Sequence, residues 1–333
     1  MGNNYTNEDL LIMQKWSLQR KIQVTQTRIL EWYTKNNNLV YVSFSGGKDS
    51  TVLADLAARI CKIQKTKLVL WFSDTGLEYP ELREHTKRFP KYLENKYGID
   101  VELVIDYPKD RYGKRITFKE VILKYGYPLV SKEQSQYISE CRHTKSDKLK
   151  DIRINGNKYG MGKISKKWLF LLDAPFEVTH KCCTVMKKNT AKQFEKRTNY
   201  KPIVGTMTEE SRNRKSAWLR HGCNAFDAKR PISQPMSFWT EQDVLCYITN
   251  NDLPYPSVYG EIKQHENGEY YTTGENRTGC MFCGFGCHME NEPNKFQRLK
   301  KSHPKIWNYC MKPVDEGGLG MKEVLEYIGV KIE

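Results

Sequence analysis

Residues 43–50 read Ser-Phe-Ser-Gly-Gly-Lys-Asp-Ser, a combination that can bind and activate a phosphate group. Two adjacent glycines, Gly46 and Gly47, let the backbone turn tightly and approach an anion. The N–H groups of such a turn, and of a helix that begins there, point at the anion. Lys48 adds a positive charge for phosphate oxygens, and Asp49 adds a carboxylate that can hold Mg²⁺ or cap the helix. The candidate contact residues are Ser43, Phe44, Ser45, Gly46 and Gly47, and the candidate catalytic residues are Lys48, Asp49 and Ser50.

Five of the ten cysteines fall into two groups that can bind a metal. Cys182 and Cys183 are adjacent, and Cys280, Cys283 and Cys287 lie within eight residues. The C-x-x-C spacing of Cys280 and Cys283 lets two thiolates bind one centre, but alone it is also typical of a redox pair, and zinc usually takes four ligands. Four soft thiolates also suit an iron–sulfur cluster. The other five cysteines stand singly and are expected to be small buried side chains.

The segments that must position these groups alternate between strands and helices. Apolar runs predict strands at 39–44, 67–73, 101–105 and 202–205. Helical spacing predicts helices over 8–34, 51–63, 80–97 and 240–251, the last with Thr240 as its N-cap. The alternation predicts a doubly wound parallel sheet with right-handed crossovers, whose ligand lies at the carboxyl ends of the strands. Residues 45–50 and 73–78 both fall at that edge.

The composition predicts a folded globular protein with an anionic partner. A length of 333 residues with 39% hydrophobic residues is enough for a full core. The start of the sequence lacks the features of a secretory signal, and no apolar run approaches a membrane span, so we expect a cytoplasmic protein without a membrane partner. The net charge of +15 favours a nucleotide or a nucleic acid. Segment 141–170 carries nine of the basic residues, and it is either a solvated surface or a nucleic-acid site.

The loop at residues 45–50, between a predicted strand and a predicted helix, resembles the S-G-G-x-D-S signature of the PP-loop ATP pyrophosphatases, or adenine nucleotide alpha hydrolases. It differs from the G-x-x-x-x-G-K-S/T loop of kinases and GTPases. Two further segments resemble the branch of PAPS reductases and ATP sulfurylase small subunits. Residues 73–81 resemble its D-T-G-x-E-x-P-E segment, and residues 205–214 resemble its G-x-R-x-x-E-S-x-x-R segment.

This resemblance covers most of residues 38–288 and implies a five-stranded parallel sheet of the adenine nucleotide alpha hydrolase kind. It implies ATP and Mg²⁺ as ligands. The residues implied to contact the nucleotide, in addition to the loop, are Asp74, Thr75, Gly76, Glu78, Gly205, Glu210, Ser211 and Arg214. The chain is expected to divide into an N-terminal helical segment (1–37), a nucleotide-binding domain (38–255, with a basic insertion at about 108–180) and a Cys-rich, then helical region (256–333).

Adjacent cysteines followed about a hundred residues later by C-x-x-C resemble the 4Fe-4S ligand set of plant and bacterial-type APS reductases. The resemblance implies a 4Fe-4S cluster on Cys182, Cys183, Cys280 and Cys283. Cys287 is a fifth candidate, which either replaces one of the adjacent pair or is a free thiol near the cluster. Zinc and unmetallated thiols remain alternatives, and the sequence leaves these choices open.

Two departures from the reductase pattern favour ATP cleavage over sulfonucleotide reduction. Sulfonucleotide reductases generally have a degenerate phosphate loop, whereas this loop is complete. They also use a nucleophilic cysteine in an E-C-G-I/L-H motif, whereas Cys310 lies in Asn-Tyr-Cys-Met, and Met207 replaces the expected substrate-contacting arginine. We therefore expect an ATP pyrophosphatase that forms an adenylated intermediate and pyrophosphate for sulfur transfer. A PAPS or APS reductase that releases sulfite and a nucleotide-binding subunit without turnover are the alternatives.

A complete loop together with a cluster also resembles the ATP pyrophosphatase of DNA phosphorothioation systems and the cluster-bearing tRNA thiolases. This resemblance implies a nucleic acid as sulfur acceptor, bound through segment 141–170, and a cysteine desulfurase as sulfur-donor protein. The sequence leaves open the acceptor, the donor and the oligomeric state.

Overall fold

The structure is a computed structural model that describes residues 4–333, and helices predominate in it. The helices are α1 (Asn7–Gln14), α2 (Leu18–Lys35), α3 (Lys48–Gln64), α4 (Pro80–Tyr97), α5 (Phe118–Tyr125), α6 (Lys132–His143), α7 (Asp147–Asn155), α8 (Asn189–Thr198), α9 (Arg212–His221), α10 (Glu241–Asn250), α11 (Lys295–Ser302), α12 (Pro304–Met311) and α13 (Met321–Tyr327). The strands are β1 (Val40–Ser43), β2 (Leu68–Ser73), β3 (Val101–Asp106), β4 (Leu129–Val130), β5 (Lys201–Ile203), β6 (Asn224–Ala225), β7 (Ile232–Ser233), β8 (Ile262–Gln264), β9 (Tyr270–Thr272) and β10 (Gly284–Phe285).

The central sheet has six strands in the order β3-β2-β1-β5-β7-β6. The first five run parallel, and β6 pairs antiparallel with β7. The predicted α/β fold with a parallel sheet is therefore confirmed, and an antiparallel strand is added at one edge. The strand order reverses beside β1, because β2 and β3 lie on one side of it and β5 and β7 on the other. Ligands of such sheets bind at the carboxyl ends of the strands where the order reverses, here those of β1 and β5.

The buried core explains why the strands form where they do. Residues Val40, Tyr41 and Val42 of β1 are buried, as expected for an inner parallel strand with both faces covered. Helix α3 packs against β1 and β2, and Trp32 of α2 and Leu53 of α3 are fully buried in the same cluster. Burial of such side chains contributes about 1.5–3 kcal/mol each. The helix that carries the phosphate loop at its start is thus fixed along its length by the core.

The N-terminal helical segment differs from the single helix predicted over 8–34. The structure contains two helices, α1 and α2, with a break at Trp16 and Ser17. The Ser17 side chain accepts a hydrogen bond from the backbone N–H of Arg20 and so caps α2. A serine hydroxyl at this position competes with the helix for backbone donors, which explains the break.

The described residues divide into two compact units. The sheet unit consists of the residues up to Asp74, Glu78–Asp106 and Ala191–Thr278, and it contains the six-stranded sheet and the β8–β9 hairpin. The cysteine unit consists of Thr75–Leu77, Tyr107–Thr190 and Gly279–Glu333, and it contains the parallel β4–β10 pair. The domain limits predicted after residues 37 and 255 stay a prediction. Nowhere in 4–333 is a helix both long and apolar enough to span a membrane.

A buried carboxylate joins three helices of the sheet unit. Asp55 of α3 is fully buried and accepts hydrogen bonds from the hydroxyls of Tyr97 (2.9 Å) and Tyr247 (2.6 Å). It also pairs with Arg59 at 3.2 Å and Lys96 at 3.1 Å. These contacts connect α3 with α4 and α10, and each lone pair of the carboxylate has a partner.

We predict that Asp55→Ala lowers the free energy of unfolding by about 3–5 kcal/mol, the usual cost of removing one partner from a buried ion pair. The tyrosine hydroxyls and the basic groups would lose their acceptor inside the protein. Chemical unfolding measures the change. Glu102→Ala, which removes an exposed ion pair with Lys67, is the control and should cost less than about 1 kcal/mol. Equal losses in the two variants would contradict the prediction.

Candidate functional site

The phosphate loop joins β1 to α3, as the sequence predicts, and its glycines are required by close contacts. Gly46 has φ +76°, and a Cβ there would lie 2.5 Å from Thr86 Oγ1 and 2.7 Å from Leu82 O. Gly47 is the N-cap of α3 and carries no side chain to cap the first turn. The first N–H groups of α3 therefore face the loop, where an anion is stabilised by the helix dipole.

Lys48 is nearly fully buried at the start of α3. Its Nζ donates to Asn276 O at 2.9 Å and lies 3.1 Å from Glu241 Oε1 and 3.8 Å from Asp49 Oδ1. Burial works to lower the pKa of Lys48, but Asp49, Tyr259 and Glu241 raise it, and the net pKa lies above the ordinary lysine value. The loop therefore holds a charged ammonium group at neutral pH.

Tyr259, which lies just before β8 in the sequence, contacts the phosphate loop. The Lys48 backbone N–H donates to Tyr259 Oη at 3.2 Å, and this hydroxyl also bonds Thr278 Oγ1 at 2.6 Å. A Cβ on Gly47 would lie 3.0 Å from the same hydroxyl. Burial raises the pKa of Tyr259, so the hydroxyl keeps its proton. Tyr259, Asn276 and Thr278 thus line the phosphate loop.

The sequence analysis missed these lining residues. Tyr259 and Asn276 lie 211 and 228 positions from Lys48, and only the tertiary fold brings them to the loop. Glu241 is the first residue of α10, a helix that the sequence predicts together with its Thr240 cap. The cap fixes where α10 begins, but nothing in its spacing indicates that Glu241 faces a lysine.

The serines and Phe44 of the loop have distinct positions. Ser45 Oγ and Ser50 Oγ are 3.1 Å apart, and Ser50 Oγ donates to Gly47 O at 2.9 Å. These two hydroxyls therefore lie together inside the loop. Ser43 ends β1. The Phe44 side chain is buried against Phe89, so its ring packs in the core and only its backbone is close to the loop.

Asp49 and Gly205 lie where β1 and β5 end side by side. A Cβ on Gly205 would lie 3.1 Å from Asp49 O, a tighter contact than most side chains make, so the close approach of this segment to the start of α3 favours glycine. Burial raises the pKa of Asp49, whereas Lys48 and, more weakly, Arg277 and Arg214 lower it. The Asp49 Oδ1 atom is buried without a hydrogen bond in the structure. Carboxylate oxygen is a ligand type that suits Mg²⁺.

The segment after β5 brings together the residues predicted at 205–214. Glu210 pairs with Arg214 and accepts a hydrogen bond from the Met207 N–H at 2.9 Å. Ser211 Oγ accepts from the Arg214 N–H and caps α9, which is a structural role for that hydroxyl. Met207 is buried in the core cluster. Burial and Arg277 lower the pKa of Arg214, and Asp49 raises it, so Arg214 lies within electrostatic range of the loop.

The segment predicted at 73–78 follows β2. Asp74 pairs with Arg83 at 2.8 Å, and Asp74 and the buried Glu78 belong to the sheet unit. Thr75 and Gly76 belong to the cysteine unit, where Thr75 Oγ1 accepts the Leu77 N–H at 3.2 Å. Contact between these four residues and a nucleotide stays a prediction.

All five candidate cysteines lie in the cysteine unit. Cys182 and Cys183 begin a helical turn that continues as a π-helix over Thr184–Lys188, a feature frequent at functional sites. The other group lies in a loop anchored by β10, in which Gly284 pairs with Leu129 of β4. Within that loop the Cys283 N–H donates to Cys280 O at 3.1 Å.

The thiols of the candidate cysteines differ in their electrostatic contacts and hydrogen bonds. Burial raises the pKa of the Cys182 thiol, and Cys183, Cys280 and Cys283 each raise it further, so these three lie within electrostatic range of Cys182. Cys287 is buried, and its Sγ donates to Gly284 O at 3.0 Å. Burial raises the pKa of Cys287 to about 12. Cys283 also raises the pKa of Cys287 and so lies within range of that thiol too. Residues 4–333 contain no group of three or more His, Cys, Asp or Glu side chains arranged to hold a metal ion.

The single cysteines mostly occupy the positions predicted for them. Cys61, Cys141, Cys223 and Cys310 are buried, and burial raises the pKa of each. Cys246 is the exception, since it is only partly buried. Thiols with raised pKa in apolar surroundings are poor nucleophiles.

A buried histidine supports the phosphate loop from α4. His85 Nε2 and Thr51 Oγ1 are 3.0 Å apart, and Thr51 Oγ1 donates to Gly47 O at 3.0 Å. Burial lowers the pKa of His85 to about 4, below the ordinary value of 6.5. His85 is therefore neutral at physiological pH and connects α4 to the first turn of α3.

This histidine predicts a pH dependence of stability. Its folded pKa lies below its unfolded pKa, so the unfolded chain binds more protons as the pH falls below about 6.5. The stability present above that pH is lost toward pH 4. Between pH 7 and pH 5, we expect the wild type to lose about 2 kcal/mol more of its unfolding free energy than His85→Gln. Chemical unfolding at both pH values measures this, and the exposed His221→Gln control should follow the wild type. Identical losses in wild type and His85→Gln would refute it.

Comparison with known proteins identifies the family. Residues 39–154 and 131–292 match the phosphoadenosine phosphosulfate reductase domain. The uncharacterized protein MJ0973 of Methanocaldococcus jannaschii is 26% identical over 321 residues, which cover 96% of this chain and 58% of that protein. The uncharacterized protein MJ0066 of the same organism is 24% identical over 279 residues, which cover 83% of this chain and 41% of that protein. The chain thus spans about half the length of these relatives.

Two solved structures match the chain at low similarity. The NH3-dependent NAD synthetase from Campylobacter jejuni has a TM-score of 0.33 and 11% identity, over 72% of this chain and 75% of its own. The NMN synthetase from Francisella tularensis has a TM-score of 0.34 and 10% identity, over 72% of this chain and 73% of its own. The domain match covers well over half of the sequence and includes the phosphate loop, β1 to β3 and the segment after β5. The chain therefore belongs to the phosphoadenosine phosphosulfate reductase domain family, an enzyme family of the PP-loop type.

Proposed function

We propose that this protein is an ATP pyrophosphatase that activates a substrate for sulfur transfer. The observation that carries the proposal is the buried, charged Lys48 ammonium beside a complete glycine loop, at the point where the strand order of the sheet reverses. An adenine nucleotide is the ligand that this family and loop favour. The triphosphate would lie against the N–H groups at the start of α3.

In the proposed reaction, an acceptor oxygen attacks the α-phosphorus of ATP. The bond from that phosphorus to the oxygen bridging to the β-phosphorus breaks, and pyrophosphate leaves with the electron pair. Lys48 stabilises the charge that develops on the phosphate oxygens, and the loop N–H groups contribute in the same way. Asp49 would hold Mg²⁺, which neutralises phosphate charge when bound. The terminal sulfur of a persulfide, carried by a donor protein such as a cysteine desulfurase, would then attack the adenylated acceptor, and AMP leaves with the electron pair of the broken bond. A thiol reductant would supply the two electrons that cleave the resulting disulfide and free the thiolated product.

The proposal assigns a 4Fe-4S cluster to Cys182, Cys183, Cys280 and Cys283. The chemistry of this donor set fits a cluster, because all four side chains are thiols of the cysteine unit and three of them lie within electrostatic range of Cys182. A bound cluster would supply iron for holding or passing on sulfur. The role of the chain is to place the cysteines, through the π-helix after Cys183 and the β10 anchor of the second loop. Zinc on the same four thiols is the alternative.

The buried thiols argue against the reductase alternative. A sulfonucleotide reductase needs a reactive cysteine outside the cluster to attack sulfur. Cys310, which stands nearest the position of that cysteine in the sequence, is fully buried in α12, and burial raises its pKa. Its surroundings favour a protonated, inert thiol.

The experiment that tests the proposal is pyrophosphate release from ATP and Mg²⁺ by anaerobically purified protein, with and without DNA or tRNA. Release of pyrophosphate and AMP, but not of ADP, would support α–β cleavage. Sulfite release from PAPS or APS with a thiol reductant would replace the proposal by the reductase. Tight ATP binding without any product would indicate a subunit without turnover.

A further inference from the structure

The basic segment of the cysteine unit exposes its lysines without pairing them. Residues 144–167 carry seven exposed lysines and two exposed aspartates, Asp147 and Asp151. The exposed lysines are Lys145, Lys148, Lys150, Lys158, Lys163, Lys166 and Lys167. None of the seven forms an ion pair with a carboxylate anywhere in the described part of the chain. By contrast, Arg142 and Arg153 pair with Glu177 and Glu140 and have structural roles.

The loop that follows α7 is rigidly built. Asn157 Oδ1 accepts the N–H groups of Tyr159 (2.9 Å) and Met161 (3.0 Å), and the Asn157 N–H donates to Met161 O at 2.8 Å. Arg153 Nη1 donates to Gly162 O at 2.7 Å and fixes the loop to α7. A Cβ on Gly156 would lie 2.9 Å from the Gly160 backbone, so the turn requires glycine.

This loop, residues 156–163, presents apolar side chains to solvent between lysines. Tyr159 is 70% exposed and Met161 is 60% exposed, and Lys158 and Lys163 flank them. The Lys158 ammonium lies 4.9 Å from the centre of the Tyr159 ring. The internal hydrogen bonds of this loop therefore hold it in a conformation that exposes an aromatic ring. A solvated basic surface does not require an exposed ring.

We propose that loop 156–163 and the exposed lysines around it bind an unpaired segment of nucleic acid. Lysines neutralise phosphates, and an exposed tyrosine stacks on a base that is not paired. A duplex would offer phosphates but no free base face for Tyr159. An acidic protein would satisfy the lysines but leave the ring without a stacking partner. In the proposed reaction this surface would bind the sulfur acceptor, and that role rests on the proposed function.

Fluorescence anisotropy with a labelled oligonucleotide of about 20 nucleotides tests the proposal on the full chain. Single-stranded DNA, single-stranded RNA and duplex DNA are compared over a salt series, with polyglutamate as a competitor. We expect single strands to bind more tightly than the duplex. The logarithm of the binding constant should fall linearly with the logarithm of the salt concentration. The DNA and RNA arms identify which nucleic acid is preferred.

The variants separate charge from stacking. Lys158→Ala/Lys163→Ala should reduce the slope against salt by about 1.4, since each lost phosphate contact contributes about 0.7 for single strands. Tyr159→Ala should weaken single-strand binding about tenfold without changing the slope, and Tyr159→Phe should retain binding. Lys301→Ala/Lys305→Ala removes two exposed lysines elsewhere in the same unit and should bind as the wild type.

The proposal is overturned if the wild type shows no salt-dependent binding, if the control pair loses as much affinity as the loop pair, or if polyglutamate competes as well as the oligonucleotide. Thermal unfolding of each variant confirms that it is folded. Pyrophosphate release is measured in parallel with and without the oligonucleotide. No release from the wild type in either condition, with oligonucleotide binding as expected, would reject the proposed reaction and leave the binding surface standing.

Discussion

Lys48→Ala is expected to lower pyrophosphate release from ATP by about 10²- to 10³-fold, the scale of one lost charge contact in a transition state. The physical reason is that the pentacovalent phosphorus carries more charge on its oxygens than the ground state does. The Lys48 ammonium is buried, stays charged and is held in place by Asn276 O and Glu241, so little reorganisation is needed when that charge develops. The expected loss is therefore in kcat more than in KM.

Two controls show whether the effect comes from the charge at the loop. Lys62→Ala removes an exposed lysine from the last turn of the same helix and should leave turnover unchanged. Glu241→Gln keeps the shape of the ion-pair partner and should cost less than Lys48→Ala, because it loosens the ammonium without removing it. Thermal unfolding and iron content are measured for all three. Turnover of Lys48→Ala within about threefold of wild type would remove Lys48 from the reaction.

Local features of the sequence were sufficient to predict the strand, loop and helix around Lys48. An apolar β-branched run, two glycines and a good helix former in succession predict β1, the turn and α3. In the structure β1 lies within one residue of its predicted bounds, and α3 begins three residues earlier than predicted. Helix α10 is predicted in the same way, and its Thr240 cap is present. Each of these elements depends on neighbours within about four residues, which is the range over which sequence patterns carry information.

The lining of the loop could not be predicted, because it depends on packing between distant segments. Tyr259 has no periodicity or motif that indicates contact with the Lys48 N–H. Its position depends on how the segment between α10 and β8 packs against the phosphate loop. The break between α1 and α2 was also missed, since apolar residues continue across it and one capping serine decides it. Long-range contact and competition between caps are thus the physical limits of the sequence analysis.

The fifth cysteine, Cys287, has a hydrogen bond that bears on its proposed role. The sequence spacing of Cys283 and Cys287 alone is compatible with both thiols binding one iron–sulfur cluster. In the structure, however, its thiol is buried and donates to the Gly284 carbonyl at the end of the anchored loop. Cys182 is within electrostatic range of Cys183, Cys280 and Cys283, whereas Cys283 is the one candidate cysteine that acts on Cys287. We propose that this hydrogen bond gives Cys287 a role in shaping the loop, and that the other four thiols bind the cluster.

Cys283→Ser is therefore expected to reduce iron and acid-labile sulfide from about four atoms of each per chain to near zero, whereas Cys287→Ser should retain both. Serine oxygen is a poor ligand for a cluster that is held by thiolates, and the three remaining thiols leave one iron without a protein ligand. In Cys287→Ser, the hydroxyl can still donate to Gly284 O, so the loop keeps its shape. Iron and sulfide analysis after anaerobic purification measures the number of iron and sulfide atoms per chain. The absorbance of the thiolate-to-iron charge-transfer bands gives a second readout.

The opposite pattern would assign the ligands differently. If Cys287→Ser loses iron and Cys183→Ser keeps it, Cys287 replaces one of the adjacent pair as a ligand. Zinc in place of iron, lost in Cys283→Ser and retained in Cys287→Ser, would keep the four-cysteine set but reject the cluster. Thermal unfolding in the same samples separates loss of metal from loss of fold, because a structural site contributes to folding energy and its removal should lower the Tm of Cys283→Ser below that of Cys287→Ser. Both outcomes depend on which cysteine thiols bind the metal and on whether the Cys287 thiol instead keeps its hydrogen bond to Gly284 O.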